Sequence, residues 1–198
     1  FNEIIELDVP NKRCVVRPGM VLDELNRALK PHGLWFPVDV STASRATIGG
    51  MAGNNSCGGK SLRHGMMRDN VQSIDAFLAD GQKHHFGLDT QNRGLGHTAL
   101  AQDLMALGTR EAGEIEARFP RVMRRVGGYN IDALVPGAAP HNLSHLLVGS
   151  EGTLGYSTAI ELKLWPLVSE KVMGVCHFQT FERAMDATQH LVTLHPQG

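Results

Sequence analysis

Residues 41–59 read Ser-Thr-Ala-Ser-Arg-Ala-Thr-Ile-Gly-Gly-Met-Ala-Gly-Asn-Asn-Ser-Cys-Gly-Gly, and with Gly65 they place six glycines between positions 49 and 65. Glycine removes the Cβ that would block a flat or phosphorylated ligand and reaches backbone conformations closed to other residues. Successive N–H groups can then converge on an anion, helped if Thr47 caps a helix opening at Ile48. Such a loop suits a pyrophosphate or the edge of a cofactor ring. A set of tight turns with no ligand would need the same residue types, and composition alone leaves both open. Interspersed Ile48, Met51, Asn54, Asn55, Cys57 and Arg63 exclude a flexible Gly/Ser linker.

Other chemistries fit less well. Gly59-Lys60-Ser61 matches the end of a phosphate-binding P-loop, but Asn54 stands where the first glycine is required and no strand feeds the loop. His141 and His145 have the i, i+4 spacing that can put two metal ligands on one helical face. Asn142 follows the first, however, where a zinc protease needs Glu, and no Cys-x-x-Cys pair exists. His84 and His85 are adjacent, so on a strand they face opposite ways. The ten histidines are read as surface or hydrogen-bonded groups, and no metal site is expected. Asn54 and Asn142 begin Asn-x-Ser sequons that carry no meaning without a secretory context.

The 198 residues carry 19 Lys+Arg against 20 Asp+Glu, a balance that argues against a nucleic-acid binder. No run of 18 apolar residues exists, so no membrane-spanning helix is expected. The start lacks Met and the basic-then-apolar order of a signal peptide. Cys14, Cys57 and Cys176 are too few and scattered for a disulfide framework, which suggests a reducing compartment.

The elements that must hold the loop follow from periodicity. Residues 14–16 read as a strand stopped by the turn Arg17-Pro18-Gly19. Residues 21–30 have helical period and end at Pro31 and Gly33. Residues 70–79 and 82–86 form a hairpin about Asp80-Gly81, and residues 88–97 a loop. Residues 98–119 read as helix in two pieces, interrupted by Gly108 and Gly113. Pro136, Gly137 and Pro140 break up residues 131–150. Residues 153–164 suit a strand ending at Trp165-Pro166, residues 171–178 a further strand and 181–194 a helix. That last pair cannot bury a core alone, so a second domain cut off after its first strand and helix is expected, in a piece of a longer protein.

Four blocks in order resemble a known family: Val16-Arg17-Pro18-Gly19; Asp39-Val40-Ser41-Thr42 with Thr47-Ile48-Gly49-Gly50, Asn54-Asn55, Gly58-Gly59 and Arg63-His64-Gly65; the Ala79-Asp80-Gly81 turn; and Gly149-Ser150-Glu151-Gly152-Thr153-Leu154-Gly155-Tyr156. Over residues 12–166 the chain resembles the FAD-binding domain of the vanillyl-alcohol-oxidase, or PCMH, type. The branch it looks most like is the FAD-linked D-2-hydroxyacid dehydrogenases: glycolate oxidase subunit, D-lactate dehydrogenase and D-2-hydroxyglutarate dehydrogenase. The resemblance implies an α+β fold, the second subdomain of such a domain, with a mixed or antiparallel sheet and flanking helices. Residues 1–168 would be FAD-binding domain without its N-terminal pyrophosphate-loop subdomain, and 169–198 the start of a truncated substrate domain.

Carried over position by position, the resemblance implies that Asp39, Ser41, Thr42, Thr47, Ile48, Gly49, Gly50 and Asn54 line the cofactor. Gly58, Gly59, Arg63 and Gly65 would continue that wall, and Glu151, Gly152 and Tyr156 would approach from the second block. Arg63 and the loop amides would stabilise the cofactor's negative charge. The catalytic histidine and any metal ligands would lie outside this chain, so no residue here is assigned as catalytic. Two departures stand out: His64 replaces the usual Tyr of Arg-Tyr-Gly, and Asn-Ser-Cys-Gly-Gly at 55–59 is one residue longer than the common form. That form, with the long stretch 87–129, is similar to large bacterial members with an iron–sulfur region, which implies an iron–sulfur cluster elsewhere in the full-length protein. The expected partners are a small 2-hydroxy acid and an electron acceptor (quinone, cytochrome or iron–sulfur centre). The expected location is cytoplasmic, with peripheral attachment at the inner face of the membrane as a variant. The competing expectation is a non-catalytic fragment that keeps the fold but does not hold FAD.

Overall fold

A computed structural model describes residues 1–88, 98–122, 124–137, 141–168, 170 and 172–194. The chain divides into two compact units, residues 1–167 and 168–198.

In the first unit, five strands form one antiparallel sheet: β1 (Ile4–Asp8), β2 (Arg13–Val16), β4 (Val71–Phe77), β5 (Lys83–Gly87) and β6 (Tyr156–Lys163), in the order β1-β2-β6-β4-β5. Its register sorts side chains by period two. Val16 lies opposite Ile160, Cys14 opposite Leu162, and Ile74 opposite both Ile160 and Phe86. All six are buried and make one face apolar. Burial, and then the nearby Glu161 charge, push the Cys14 thiol up to about 12, so it behaves as a small apolar group. The opposite face is polar. Arg13 bridges Asp8 and Glu161 at 2.9 Å each, Ser73 donates to Glu161 at 2.8 Å, and Asp75 meets His85 at 2.7 Å and Lys83 at 3.0 Å.

Helix α1 (Leu22–Leu29) lays Leu22, Leu25 and Leu29 into the same core. A 3₁₀ turn with Pro31 at its start ends it, and Gly33 closes the turn at φ 66°. Both ends of the helix lie where periodicity places them. The Asp80-Gly81 hairpin also forms as expected. Residues 89–97 of the expected loop lie outside the described residues. Strands β3 (Leu34–Trp35) and β7 (Trp165–Pro166) form a short separate pair.

Residues 98–119 are indeed two helices, α5 (Ala99–Arg110) and α6 (Ala112–Arg118), but neither expected glycine is the break. The chain turns at Glu111, while Gly108 lies buried inside α5. A Cβ on Gly108 would sit 2.2 Å from the Leu134 carbonyl oxygen, so this glycine serves close packing of α5 on a 3₁₀ turn at Ile131–Leu134. Helix α7 (Ser144–Leu147) packs on β4, where Asn142 just before it donates to the Val71 and Gln72 carbonyls.

The second unit carries one described helix, α8 (Phe181–Thr193), capped by the Thr180 hydroxyl on the Arg183 N–H at 3.3 Å. Of the strand expected over 171–178, residue 171 lies outside the described residues and 172–178 pair with no strand among them; apolar composition without a hydrogen-bonding neighbour does not make one. Among the described residues, no helix is long and apolar enough to cross a membrane.

Candidate functional site

Three short helices organise the glycine-rich segment: α2 (Ile48–Gly53), α3 (Ser61–His64) and α4 (Met67–Asn70). Thr47 caps α2 as expected, its Oγ1 accepting from the Gly50 N–H at 3.2 Å. Ile48, Met51 and Ala52 are buried and pin the helix to the core. The anion nest expected at its start does not survive this packing. Ile48 N–H donates to the Met20 carbonyl and Gly49 N–H to the Pro18 carbonyl, both at 2.8 Å, while Gly50 N–H is held by Thr47. Ile48 has no exposed surface, so its side chain belongs to the core.

The other end of α2 joins the two sequence blocks. Gly149 N–H donates to the Ala52 carbonyl at 2.8 Å and Glu151 N–H to the Gly53 carbonyl at 3.0 Å. Carbonyls left open at a helix end thus find partners from a segment almost a hundred residues away. Gly149, Glu151 and Gly152 all have positive φ, at 86°, 52° and 74°. For Glu151, which is exposed, this conformation is costly and therefore informative.

Beside this junction lies a cleft of about 450 Å³. Asp39, Ser41, Asn54, Ser56 and Cys57 supply its polar lining, Gly58 and Gly59 one edge, and Val40 and Val126 apolar surface. Asp39 organises the wall. Its Oδ1 accepts from the Lys60 N–H at 3.0 Å, and a Cβ on Gly58 would lie 1.5 Å from its carbonyl oxygen. Gly58 is therefore required by the chain itself. Gly59 is exposed, and a Cβ there would meet only Asp39 Oδ2, at 3.8 Å. The P-loop-like tail is used differently again: Ser61 Oγ accepts from Gly58 N–H at 2.9 Å and the Lys60 ammonium sits 4.5 Å above the Trp35 ring.

Of the fifteen positions singled out, the cleft gathers Asp39, Ser41, Asn54, Gly58 and Gly59. Glu151 and Gly152 do not line it but lie against Gly53, the residue before Asn54. Thr42 is exposed and turns the chain, its carbonyl accepting from Arg45 and Ala46. Thr47, Ile48, Gly49 and Gly50 form the first turn of α2, where a Cβ on Gly49 would strike Pro18 at 2.5 Å. Arg63 and Gly65, at the end of α3, are not in the cleft lining, and Gly65 packs on Asp69 at φ 78°. Tyr156 opens β6 and stacks on Phe1 at 6.1 Å.

His64 has a packing role of its own. Its ring meets Trp35 edge-on at 5.4 Å and Trp165 at 4.6 Å. Burial, then repulsion from Arg63 and Lys60, hold its pKa below the usual value against the opposing pull of Asp39. The other spaced histidines do not share a helix: His145 lies in α7, whereas His141 precedes it and contacts the Ala133 carbonyl at 3.0 Å.

Residue-type reasoning missed a polar cluster behind the cleft. Arg68 meets Asp132 at 3.0 Å and Arg125 meets it at 2.6 Å, while Asn130 Oδ1 accepts from both arginines. Burial would raise the Asp132 carboxyl, but donation from Arg125 and Arg68 outweighs it and holds the pKa below the ordinary value. Asn55, at φ 48°, ties the cluster to α2: Nδ2 donates to the Arg125 carbonyl and Oδ1 accepts from the Arg68 N–H. A second cavity of about 640 Å³ opens beside these arginines. Arg124-Arg125 followed by Gly127-Gly128 was the one local signal.

Residues 1–87 match the family model described as the FAD binding domain, so the class read from the motifs is borne out, as is the α+β architecture. Nearly the whole chain is also similar to curated dehydrogenases and to an oxidase subunit. It is 32% identical to the D-2-hydroxyglutarate dehydrogenase of Pseudomonas putida over 99% of this chain and 20% of that protein. Identity is 30% to the probable mitochondrial D-lactate dehydrogenase of Danio rerio, over 97% of this chain and 30% of the relative. To the glycolate oxidase subunit GlcD of Bacillus subtilis it is 26%, over 97% and 32%. The chain thus spans about a fifth to a third of the length of these relatives.

Proposed function

We propose that this chain is the flavin-binding part of an FAD-linked oxidoreductase and that the cleft beside Asp39 and Gly59 receives FAD. The observation that carries this reading is the junction at the end of α2, which brings both family blocks to the edge of one open polar cleft. The residues fit the group: Ser41 and Asn54 offer hydrogen-bonding side chains, and Gly59 exposes backbone that no side chain covers. The volume lies within the range of about 300–1,000 Å³ typical of small-molecule sites.

The chemistry a bound flavin supplies is hydride acceptance from the α-carbon of a D-2-hydroxy acid, the substrate type that the relatives' names support. This chain's residues would bind and orient the cofactor, and the base would come from outside them. We assign residues 1–168 to the FAD-binding domain and 169–198 to the start of a substrate domain, with a quinone, cytochrome or iron–sulfur centre as acceptor. The other reading is a fragment that keeps the fold without holding FAD, and the closed N–H groups of α2 favour it. Titrating the 198-residue chain with FAD, by flavin fluorescence and visible absorption, separates the two. Quenched fluorescence with a perturbed spectrum at micromolar protein supports the first. Free-flavin behaviour at all concentrations supports the second.

A further inference from the structure

Among the described residues, the cleft lining contains one carboxylic acid, Asp39, and no lysine or arginine. A diphosphate bound by the hydrogen-bonding groups of this lining would need its charge balanced by a cation from beyond them, since burying unpaired charge is costly. Two nearby cations do not supply that balance. The Lys60 ammonium rests over the Trp35 ring, and Arg63, the residue that the family resemblance nominates for charge stabilisation, does not line the cleft.

Arg124 does reach its wall. Its Nη2 donates to the carbonyl oxygen of Gly58, a lining residue, and the side chain is otherwise exposed. The backbone that carries it is anchored on the following residues. Arg125 is fixed through its carbonyl to Asn55 at 3.3 Å, through its guanidinium to Asp132 at 2.6 Å, and over the Phe119 ring at 4.3 Å. Val126 then contributes to the cleft lining itself. An exposed guanidinium is thus held at the rim by neighbours that are part of the fold. Its five donors match phosphate oxygens, and a lone backbone carbonyl engages only a fraction of them.

We propose that Arg124 is the diphosphate-binding residue of the cleft, exchanging the Gly58 carbonyl for, or sharing it with, the phosphate oxygens of a flavin dinucleotide. The inference rests on the FAD reading above and moves the charge-stabilising role from Arg63 to Arg124. It does not need the flavin ring, because the recognised chemistry is a diphosphate.

The test is calorimetric or fluorescence titration of the 198-residue chain and its R124A, R124K and R110A variants with FAD, ADP and riboflavin. Arg110 sits on the exposed end of α5 and pairs with Glu111, so R110A controls for loss of one surface charge. R124A is expected to weaken FAD and ADP about tenfold, the factor that 1.4 kcal/mol represents, and to leave riboflavin unchanged. R124K should recover part of the loss, since it restores charge without the planar fork. The salt dependence of FAD binding should flatten in R124A and not in R110A. Equal affinity of R124A and the unsubstituted chain for FAD overturns the inference, as does equal weakening of all three ligands. Absence of FAD binding by the unsubstituted chain overturns the FAD reading first, and the inference with it. Matching circular dichroism spectra for R124A and R110A separate binding effects from misfolding.

Discussion

Segments 49–65 and 149–152 meet at the C-terminal end of α2 and use glycine for different reasons. In the first, the space a side chain would fill is occupied by the chain: Pro18 at Gly49, the Asp39 carbonyl at Gly58, and Asp69 at Gly65, which alone of the three also has positive φ. In the second, the demand is conformational, with Gly149, Glu151 and Gly152 all at positive φ and open space around Gly152. Gly53 and Gly59, both in the first segment, are open in both respects, with no positive φ and no atom nearer than 3.8 Å to a Cβ, and of these two Gly59 lines the cleft. A glycine cluster that looks uniform in sequence therefore contains packing glycines, turn glycines and one candidate for ligand approach.

Substitutions can break that comparison. The largest effect is expected at Gly58→Ala, where a Cβ would collide with backbone rather than with a movable side chain. It should lower unfolding stability by more than about 4 kcal/mol or prevent soluble folding, as read by urea denaturation. Gly149→Ala should cost about 2 kcal/mol, combining a left-handed conformation with a 3.3 Å approach to the Asn55 side chain. Glu151→Gly should go the other way. Relief of its positive φ, less the added freedom of glycine when unfolded, leaves a gain of about 0.5 kcal/mol in the same assay. If Gly149→Ala proves costlier than Gly58→Ala, the assignment of packing and conformational roles is reversed.

The smallest expected effect is in pH dependence. His64 and His145 both have pKa values held below the usual 6.5, first by burial and then by neighbouring positive charge. The unfolded chain then binds protons that the folded chain resists, so stability is full above pH 6.5 and declines as pH falls through that value. Thermal melts from pH 7.5 to 5 should show the decline, and His64→Phe, which preserves a ring against Trp35 and Trp165, should reduce it. An unchanged slope would remove His64 from the account.

The same contrast explains what was legible in the sequence. The cap at Thr47, the helix ended by Pro31 and Gly33 and the Asp80-Gly81 hairpin depend on residues within a few positions, and local pattern finds them. The closure of the α2 N–H groups depends on the Met20 and Pro18 carbonyls, which only tertiary packing delivers. Gly108 looked like a helix breaker because its partner, Leu134, is far along the chain. The Arg68–Asp132 pair spans 64 positions and has no local signature at all. Residues 172–178 show the converse, an apolar run with no strand to pair with among the described residues. Five of the family-motif positions fall in the cleft lining, but the motifs do not show the division of labour among the glycines.

The most direct test of the central claim is calorimetric titration of FAD into Gly59→Leu beside the unsubstituted chain. The nearest atom to a Cβ at this position is 3.8 Å away, so the variant should melt like the parent while its side chain occupies the cleft. The account predicts an unchanged melting temperature with FAD binding lost. Full FAD affinity in a normally folded Gly59→Leu protein would contradict it and place the cofactor elsewhere.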